Sequence, residues 1–352
     1  MSLNRLSAEA CIEQLGQFDA VIDARSPSEF AEDHLPAAVN WPVLDDEERR
    51  IVGTLHKQAS AFEARRVGAA MVARRVADHI DTWLPPVARE WRPLVYCWRG
   101  GDRSGTLAWF LDRIGFRTTV VDGGYKAFRG VVRAQLDTLP DRHDWRVLCG
   151  KTGSGKTRLL HALTAAGAQV LDLEAIAGHR GSVLGLPPGT EQPSQKQIDT
   201  QVWQALRQFD PARPVFVESE SKKLGRRWLP EALIDRLRQH GQCTLVDMPD
   251  PARLDLLMDD YRFLAEQPEH FCQLLDGLTE LRGKVQVHAW QAAIRSGAIR
   301  EVFAELMAVH YDPGYLRSLS QHYQGFESAR ALELPDGSAA SLAAAAATLM
   351  QA

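Results

Sequence analysis

The chain reads as an α/β protein built from two units, each with a parallel sheet. Three observations predict this. Short apolar runs alternate with helical patterns over most of the first 250 residues. Two of those runs end in a glycine-rich loop that opens a helix, at 97–104 and at 150–157. A length of 352 residues is more than one core usually serves and is natural for two. Strands that alternate with helices argue for parallel sheets covered on both faces.

In order, residues 18–23 (FDAVID) predict a short strand. Residues 24–42 hold a turn and a helix start at Arg25-Ser26-Pro27-Ser28-Glu29-Phe30, then a second apolar run near Val39. Residues 45–90, rich in Glu, Arg and Ala, predict a helical insertion. Strands follow at 93–97 and 118–122, with a helix at 104–114 between them. Leu139-Pro140-Asp141 reads as a linker, which sets the expected domains at 1–138 and 139–352. In the second unit, strands are expected at 145–149, 169–173, 214–218 and 242–247, with a helix at 157–166. Residues 178–197 carry Gly and Pro without apolar periodicity and predict a long loop, the usual material of a lid. Residues 253–310 predict a helical carboxyl-terminal region, and the alanine-rich end reads as a further helix or a frayed tail.

Composition narrows the function. The hydrophobic fraction of 45% and charged fraction of 24% are those of an ordinary globular protein. No apolar run approaches the roughly 20 residues of a membrane span, and the start lacks a basic-then-apolar signal pattern. The five cysteines show no CxxC pair, so a disulfide framework or structural zinc is not expected and the cytoplasm is the expected compartment. His residues are scattered, so no protein-bound transition metal is expected. Net charge is −4, so nucleic-acid contact would need local basic patches. Arg65, Arg66, Arg74 and Arg75 form one candidate, and Lys222, Lys223, Arg226 and Arg227 another, although a charge run is most often a solvated face.

The first loop reads Cys97-Trp98-Arg99-Gly100-Gly101-Asp102-Arg103-Ser104. A thiol at the carboxyl end of a buried strand and the amino end of a helix meets free backbone N–H groups and the helix dipole, which favour negative charge. Gly100, Gly101 and Ser104 are the expected anion nest, and Arg99 and Arg103 the expected phosphate holders. Two chemistries use such a loop. One is a cysteine phosphatase, with Cys97 attacking phosphorus; the other is sulfur or selenium transfer, with Cys97 carrying the chalcogen. The spacing does not separate them. The second loop, Gly150-Lys151-Thr152-Gly153-Ser154-Gly155-Lys156-Thr157, is a P-loop pattern. Gly150, Gly153, Ser154 and Gly155 supply backbone N–H groups to a phosphate, Lys156 supplies charge, and Thr157 can ligate Mg²⁺. A diphosphate of any organic group suits it as well as a nucleotide. Glu218, ending the run Val215-Phe216-Val217, is the expected acidic partner, with Glu220 two residues on and Asp172 and Glu174 as weaker candidates. His179, Arg180 and Ser182 are loop residues able to close over a phosphorylated ligand.

The first 135 residues resemble a rhodanese domain. The match runs through Asp23-Ala24-Arg25-Ser26-Pro27-Ser28-Glu29-Phe30, His34-Leu35-Pro36, the cysteine loop, and Asp122-Gly123-Gly124-Tyr125-Lys126-Ala127-Phe128. The Cys-x5-Arg loop is one residue longer than the Cys-x4-Arg of many sulfurtransferases. Joined to a P-loop domain, and with Val217-Glu218-Ser219-Glu220-Ser221-Lys222-Lys223-Leu224-Gly225 and Tyr311-Asp312-Pro313, the whole chain resembles the bacterial tRNA 2-selenouridine synthases. The resemblance implies a two-step reaction on the wobble 2-thiouridine of tRNAs for Lys, Glu and Gln. Geranyl diphosphate first alkylates the sulfur; selenium from selenophosphate then displaces the geranylthio group. It implies that Cys97 takes or relays selenium, that Lys156 with Mg²⁺ stabilises the diphosphate, and that a selenophosphate-supplying enzyme is a partner. The rival readings are an ATP-dependent kinase or NTPase with a rhodanese-like module, a cysteine phosphatase, and a non-catalytic tRNA- or protein-binding adaptor. The residues do not place the geranyl chain: Trp203, Phe209, Phe216 and Trp228 suit a core as well as an apolar groove.

Overall fold

A computed structural model of the chain describes residues 3–84, 86–182, 184–185 and 189–351. The chain divides into two compact units, the first ending at Gln135 and the second starting at Leu136. The expected linker is an ordered 3₁₀ turn, Leu139–Arg142, with Leu139 and Pro140 buried. It caps the second unit: the carbonyl of Pro140 accepts the indole N–H of Trp145 at 2.9 Å.

In the first unit the described strands are β1 (Asn4–Leu6), β2 (Ala20–Asp23), β3 (Ala38–Asn40), β4 (Pro93–Tyr96) and β5 (Thr119–Val121). They form one parallel sheet in the order β1-β5-β4-β2-β3. Central β4 is buried along its whole length, as a strand covered on both faces must be. The inserted helices Asp46–Gln58 and Ala61–Trp83 start on Asp45 and Ser60, whose side chains accept first-turn N–H groups. The second of these packs Val72 and Val76 into the same core as Ile22, Val95 and Leu107.

The second unit contains β6 (Trp145–Cys149), β7 (Gln169–Leu171), β8 (Val215–Glu218), β9 (Lys223–Leu224), β10 (Arg227–Trp228), β11 (Gln242–Asp247) and β12 (Arg330–Glu333). Its parallel sheet runs β12-β11-β6-β8-β7, and β9 and β10 form a separate antiparallel hairpin. The central strand β6 feeds the glycine loop, and its neighbour β8 ends at Glu218, so sheet order alone brings these two functional segments side by side. The helix Lys156–Ala165 and the terminal helix Ala339–Met350 share one core, with Leu159, Leu160, Leu163, Leu342 and Ala346 buried. The helices from Pro268 to Leu306 close around Phe271, Trp290, Val302 and Phe303; each such side chain contributes roughly 1.5–3 kcal/mol by burial. No helix among the described residues is long and apolar enough to cross a membrane.

Candidate functional site

The first unit builds its site where β4 ends. Cys97 is 3% exposed, and its sulfur accepts a hydrogen bond from Ser104 Oγ at 3.1 Å. The helix Asp102–Ile114 begins on Gly101, which offers no side-chain cap, so its first N–H groups remain for an anion.

The loop is held by the glycine turn at 122–124. Tyr125 N–H donates to the carbonyl of Cys97 at 2.8 Å and Lys126 N–H to that of Trp98 at 3.0 Å. A Cβ on Gly124 (φ +57°) would lie 2.3 Å from the Cys97 carbonyl, and one on Gly100 (φ +66°) 2.7 Å from that of Val121. The Asp122-Gly123-Gly124 motif is therefore the mould against which the cysteine loop is cast. Below it, fully buried Arg25 bonds both oxygens of Asp23, donates to the Asp33 carbonyl at 2.6 Å and stacks 3.8 Å from the Tyr125 ring.

The two loop arginines differ. Arg99 is exposed. Arg103 is engaged: its guanidinium donates to Glu29 at 2.7 Å, and Glu29 also accepts from Arg49 at 2.8 Å. Burial alone would raise the Glu29 carboxyl, but Arg103 and Arg49 hold it below the usual range. Arg103 is thus an arginine oriented by a carboxylate, which an incoming phosphate would have to share.

The second unit builds a cavity at the carboxyl ends of β6 and β8. The glycine loop takes left-handed turns at Gly153 (φ +74°) and Gly155 (φ +79°), and Gly155 starts the helix Lys156–Ala165 without a side-chain cap. Lys156 is buried and donates to the carbonyls of Gly150 at 2.7 Å and Lys151 at 3.2 Å. Thr157 Oγ1 lies 3.4 Å from Glu174. Arg253, 1% exposed, grips the loop from behind. It donates twice to the Thr152 carbonyl, at 3.0 and 2.7 Å, and in turn meets Asp312 at 2.6 and 3.0 Å. This gives Asp312 of Tyr311-Asp312-Pro313 a physical role: it fixes the arginine that shapes the phosphate loop.

Opposite the loop, three carboxylates converge. Glu174, Glu218 and Glu220 offer oxygens that lie within 4.8 Å of one another. Glu218 is 4% exposed, and its Oε1 has no hydrogen-bond partner. Burial pushes Glu218 upward against the pull of Lys156. Burial and the Glu218 and Glu220 charges push Glu174 up to about 9, and burial and Glu218 push Glu220 up to about 8. Gly181 (φ +69°) closes over them; a Cβ there would stand 3.3 Å from Glu174 and 3.4 Å from Glu220. The segment beside them adds Arg180, which donates to the Asp260 carbonyl at 2.6 Å, and Ser182, 3.4 Å from the Tyr261 hydroxyl. Tyr315 and Tyr323 tie the far wall to Ser219 and Glu220. Of the apolar groove candidates, Trp203 and Phe216 are core residues and Trp228 is 57% exposed; none of these or Phe209 lines this cavity.

The basic candidates fare unevenly. Arg75 is an internal staple bonded to Asp45 and Glu48, and Arg66 pairs with Glu63. Arg65 is exposed and bonds the Ala61 carbonyl, and Arg74 is exposed. On the β9–β10 hairpin Lys222 faces Glu231 and Asp235, Lys223 lies 5.6 Å from the Trp228 ring, Arg226 is exposed, and Arg227 is half-buried.

Comparison with known proteins agrees with this architecture. Residues 7–130 match the rhodanese-like domain family, and residues 143–295 match the tRNA 2-selenouridine synthase AAA domain family. The chain is 38% identical over 247 residues to the tRNA 2-selenouridine synthase of Nitrosomonas europaea, a match covering 68% of this chain and 63% of that protein. It is 34% identical to the Aeromonas salmonicida protein of that name, over 85% of this chain and 87% of that one. With the Shewanella halifaxensis protein, also so named, identity is 31% over 90% of this chain and 93% of the relative. Those last two matches run through both units, and on them the chain belongs to the tRNA 2-selenouridine synthase family.

Proposed function

We propose that this chain modifies tRNA in two steps, geranylating the sulfur of a wobble 2-thiouridine and then exchanging the geranylthio group for selenium. The observation that carries this reading is the pairing of Cys97, held by Ser104 at 3.1 Å, with an intact glycine loop that faces a carboxylate cluster, in a chain of this family.

In the first step the 2-thio sulfur attacks C1 of geranyl diphosphate. The C–O bond breaks, and diphosphate leaves with the electron pair. Lys156 and the N–H groups of 153–157 meet the charge that develops on it. The uracil N3 proton must also go somewhere. Glu218, buried with an unpartnered oxygen, is the acceptor we assign. A P-loop implies Mg²⁺, and the residues fit one: three carboxylates within 4.8 Å and an orphaned buried oxygen. Thr157, Glu174 and Glu220 would hold it, which leaves Glu218 to take the proton. When bound it supplies positive charge to the diphosphate.

In the second step selenophosphate is received at the Cys97 loop; its selenium attacks C2 of the S-geranyl base, geranylthiolate leaves with the electron pair of the C–S bond, and water takes the phosphoryl group from selenium as phosphate. The anionic group of selenophosphate meets the helix start at Gly101, with Arg99 and Arg103 as cationic partners, and Glu29 sets the orientation of Arg103. The S-alkylated base is the better electrophile, since a thioether sulfur leaves more readily than a thiocarbonyl sulfur.

The test is mass spectrometry of nucleosides from 2-thiouridine tRNA incubated with the protein, geranyl diphosphate and selenophosphate, each donor also omitted in turn. A geranylated nucleoside without selenophosphate, converted to selenouridine when it is added, is the expected result. Unchanged tRNA, with rapid nucleotide hydrolysis, would favour a kinase or NTPase instead.

A further inference from the structure

We infer that a second, apolar subsite opens off the phosphate cavity and takes the hydrocarbon tail of the diphosphate donor. Its walls are Leu184, Leu257, Tyr261, Phe303, Met307 and Tyr311. This rests on the geranyl diphosphate reading above and goes beyond it by saying where the tail lies and what sets its length.

Continuity with the phosphate cavity is the first argument. Thr152, Ser182, Leu257, Tyr261 and Tyr311 line both spaces, so the side pocket lies directly against the cavity that holds the glycine loop. Polarity is the second. One end of the combined space is charged, with Lys156 and Arg180 beside Glu174, Glu218 and Glu220. The other ends on Phe303 and Met307, both buried in the helical core. A space charged and polar at one end and apolar at the other fits an amphiphile. A nucleobase placed at that apolar end would leave its polar edges unpaired.

Local backbone is the third. Met307–Tyr311 is a π-helical turn between the helices Ile299–Leu306 and Asp312–His322. Such turns are rare and gather at functional sites. This one places both Met307 and Tyr311 on the pocket wall. The side chains as they stand leave about 10 Å³, room for one water, so Met307, which is unbranched and can rotate, must swing aside to admit a chain. The guanidinium of Arg180 lies 5.4 Å from the Tyr261 ring at the shared mouth, so that ring spans the boundary between the charged and apolar parts. We assign Phe303 and Met307, at the closed end, as the residues that set chain length.

The test offers wild-type protein equal concentrations of dimethylallyl, geranyl and farnesyl diphosphate with 2-thiouridine tRNA and measures the three S-prenyl nucleosides by mass spectrometry. Met307→Trp should lower the ten-carbon to five-carbon product ratio roughly tenfold or more. Phe303→Ala should raise the fifteen-carbon to ten-carbon ratio by a similar factor, the scale on which an apolar pocket discriminates chain length. Near-ultraviolet circular dichroism checks each fold, and Phe303→Ala carries the test if the tryptophan variant does not fold. A wild type that transfers prenyl groups while both ratios stay unmoved in folded variants overturns the subsite alone. A wild type that transfers none of the three overturns the geranyl reading together with it.

Discussion

Glu220→Gln should make the protein more stable in alkaline solution and leave it unchanged in acid. The Glu220 carboxyl is pushed from 4.5 up to about 8, by burial and by the Glu218 charge. A carboxyl whose folded value is raised favours the fold while protonated. Its contribution is complete below the ordinary carboxylate range and is lost as pH rises through about 8. A shift of that size corresponds to about 5 kcal/mol at most. Glu220 is only partly buried and shares its repulsion with Glu174 and Glu218, so about 2–4 kcal/mol is the sensible expectation. For a unit of this size, that is a rise in Tm of roughly 5–10 °C. The assay is thermal unfolding of wild type and variant at pH 5, 7 and 9 without divalent cations. The two curves should coincide at pH 5 and separate progressively above it. Equal melting at all three pH values, or a variant less stable at pH 9, would refute the account of the cluster.

Other outcomes follow from the same geometry. Asp312→Ala leaves the buried Arg253 guanidinium with Asp250, 2.7 Å away, as its remaining carboxylate partner and should cost roughly 1.5–3 kcal/mol, read by urea unfolding; a loss under 1 kcal/mol would remove Asp312 from the support of the phosphate loop. Glu174 and Glu220, pushed up to about 9 and about 8, hold protons at pH 7, so binding of Mg²⁺ should release up to about two protons. Calorimetry in buffers of different ionisation enthalpy measures this, and buffer-independent heats would contradict it. For tRNA binding, replacing Lys223 and Arg226 together by Ala should flatten the salt dependence by about two ions. Arg75→Ala should instead lower stability, because Arg75 bonds Asp45 and Glu48. A slope unchanged by the double variant would return the hairpin to ordinary surface.

Much of the site was legible in the sequence because its devices are local. The strands Trp145–Cys149 and Gln242–Asp247 lie where apolar runs predict them. Gly100, Gly150, Gly153 and Gly155 take positive φ values that favour glycine. What escaped was short, exposed or long-range. β1 and β12, at the sheet edges, hold three and four residues, too few for a period to register. The helix Gln195–Gln208 begins inside the stretch expected to be loop through 197, although its capping box, Ser194 with Gln197, is written in the sequence. The strand expected at 169–173 ends at Leu171, because Asp172 accepts the Ala175 N–H and starts the helix Leu173–Ala177. The carboxylate triad joins Glu174 to Glu218 and Glu220 across the parallel sheet. The Arg253–Asp312 pair spans 59 residues. Spacing along the chain carries no signal for either. The same holds for the apolar side pocket, which the helix Asp250–Asp260, the segment from Ile299 to Tyr311 and the loop residues Thr152, Ser182 and Leu184 assemble.

The claim that matters most is that the two chemical steps belong to different units. It is tested by nucleoside mass spectrometry on Cys97→Ala and Lys156→Ala, each given 2-thiouridine tRNA with both donors and, separately, tRNA already S-geranylated. Cys97→Ala should geranylate and fail to selenate. Lys156→Ala should fail to geranylate yet convert the pre-geranylated tRNA to selenouridine. Folded variants that each lose both steps together would contradict the division.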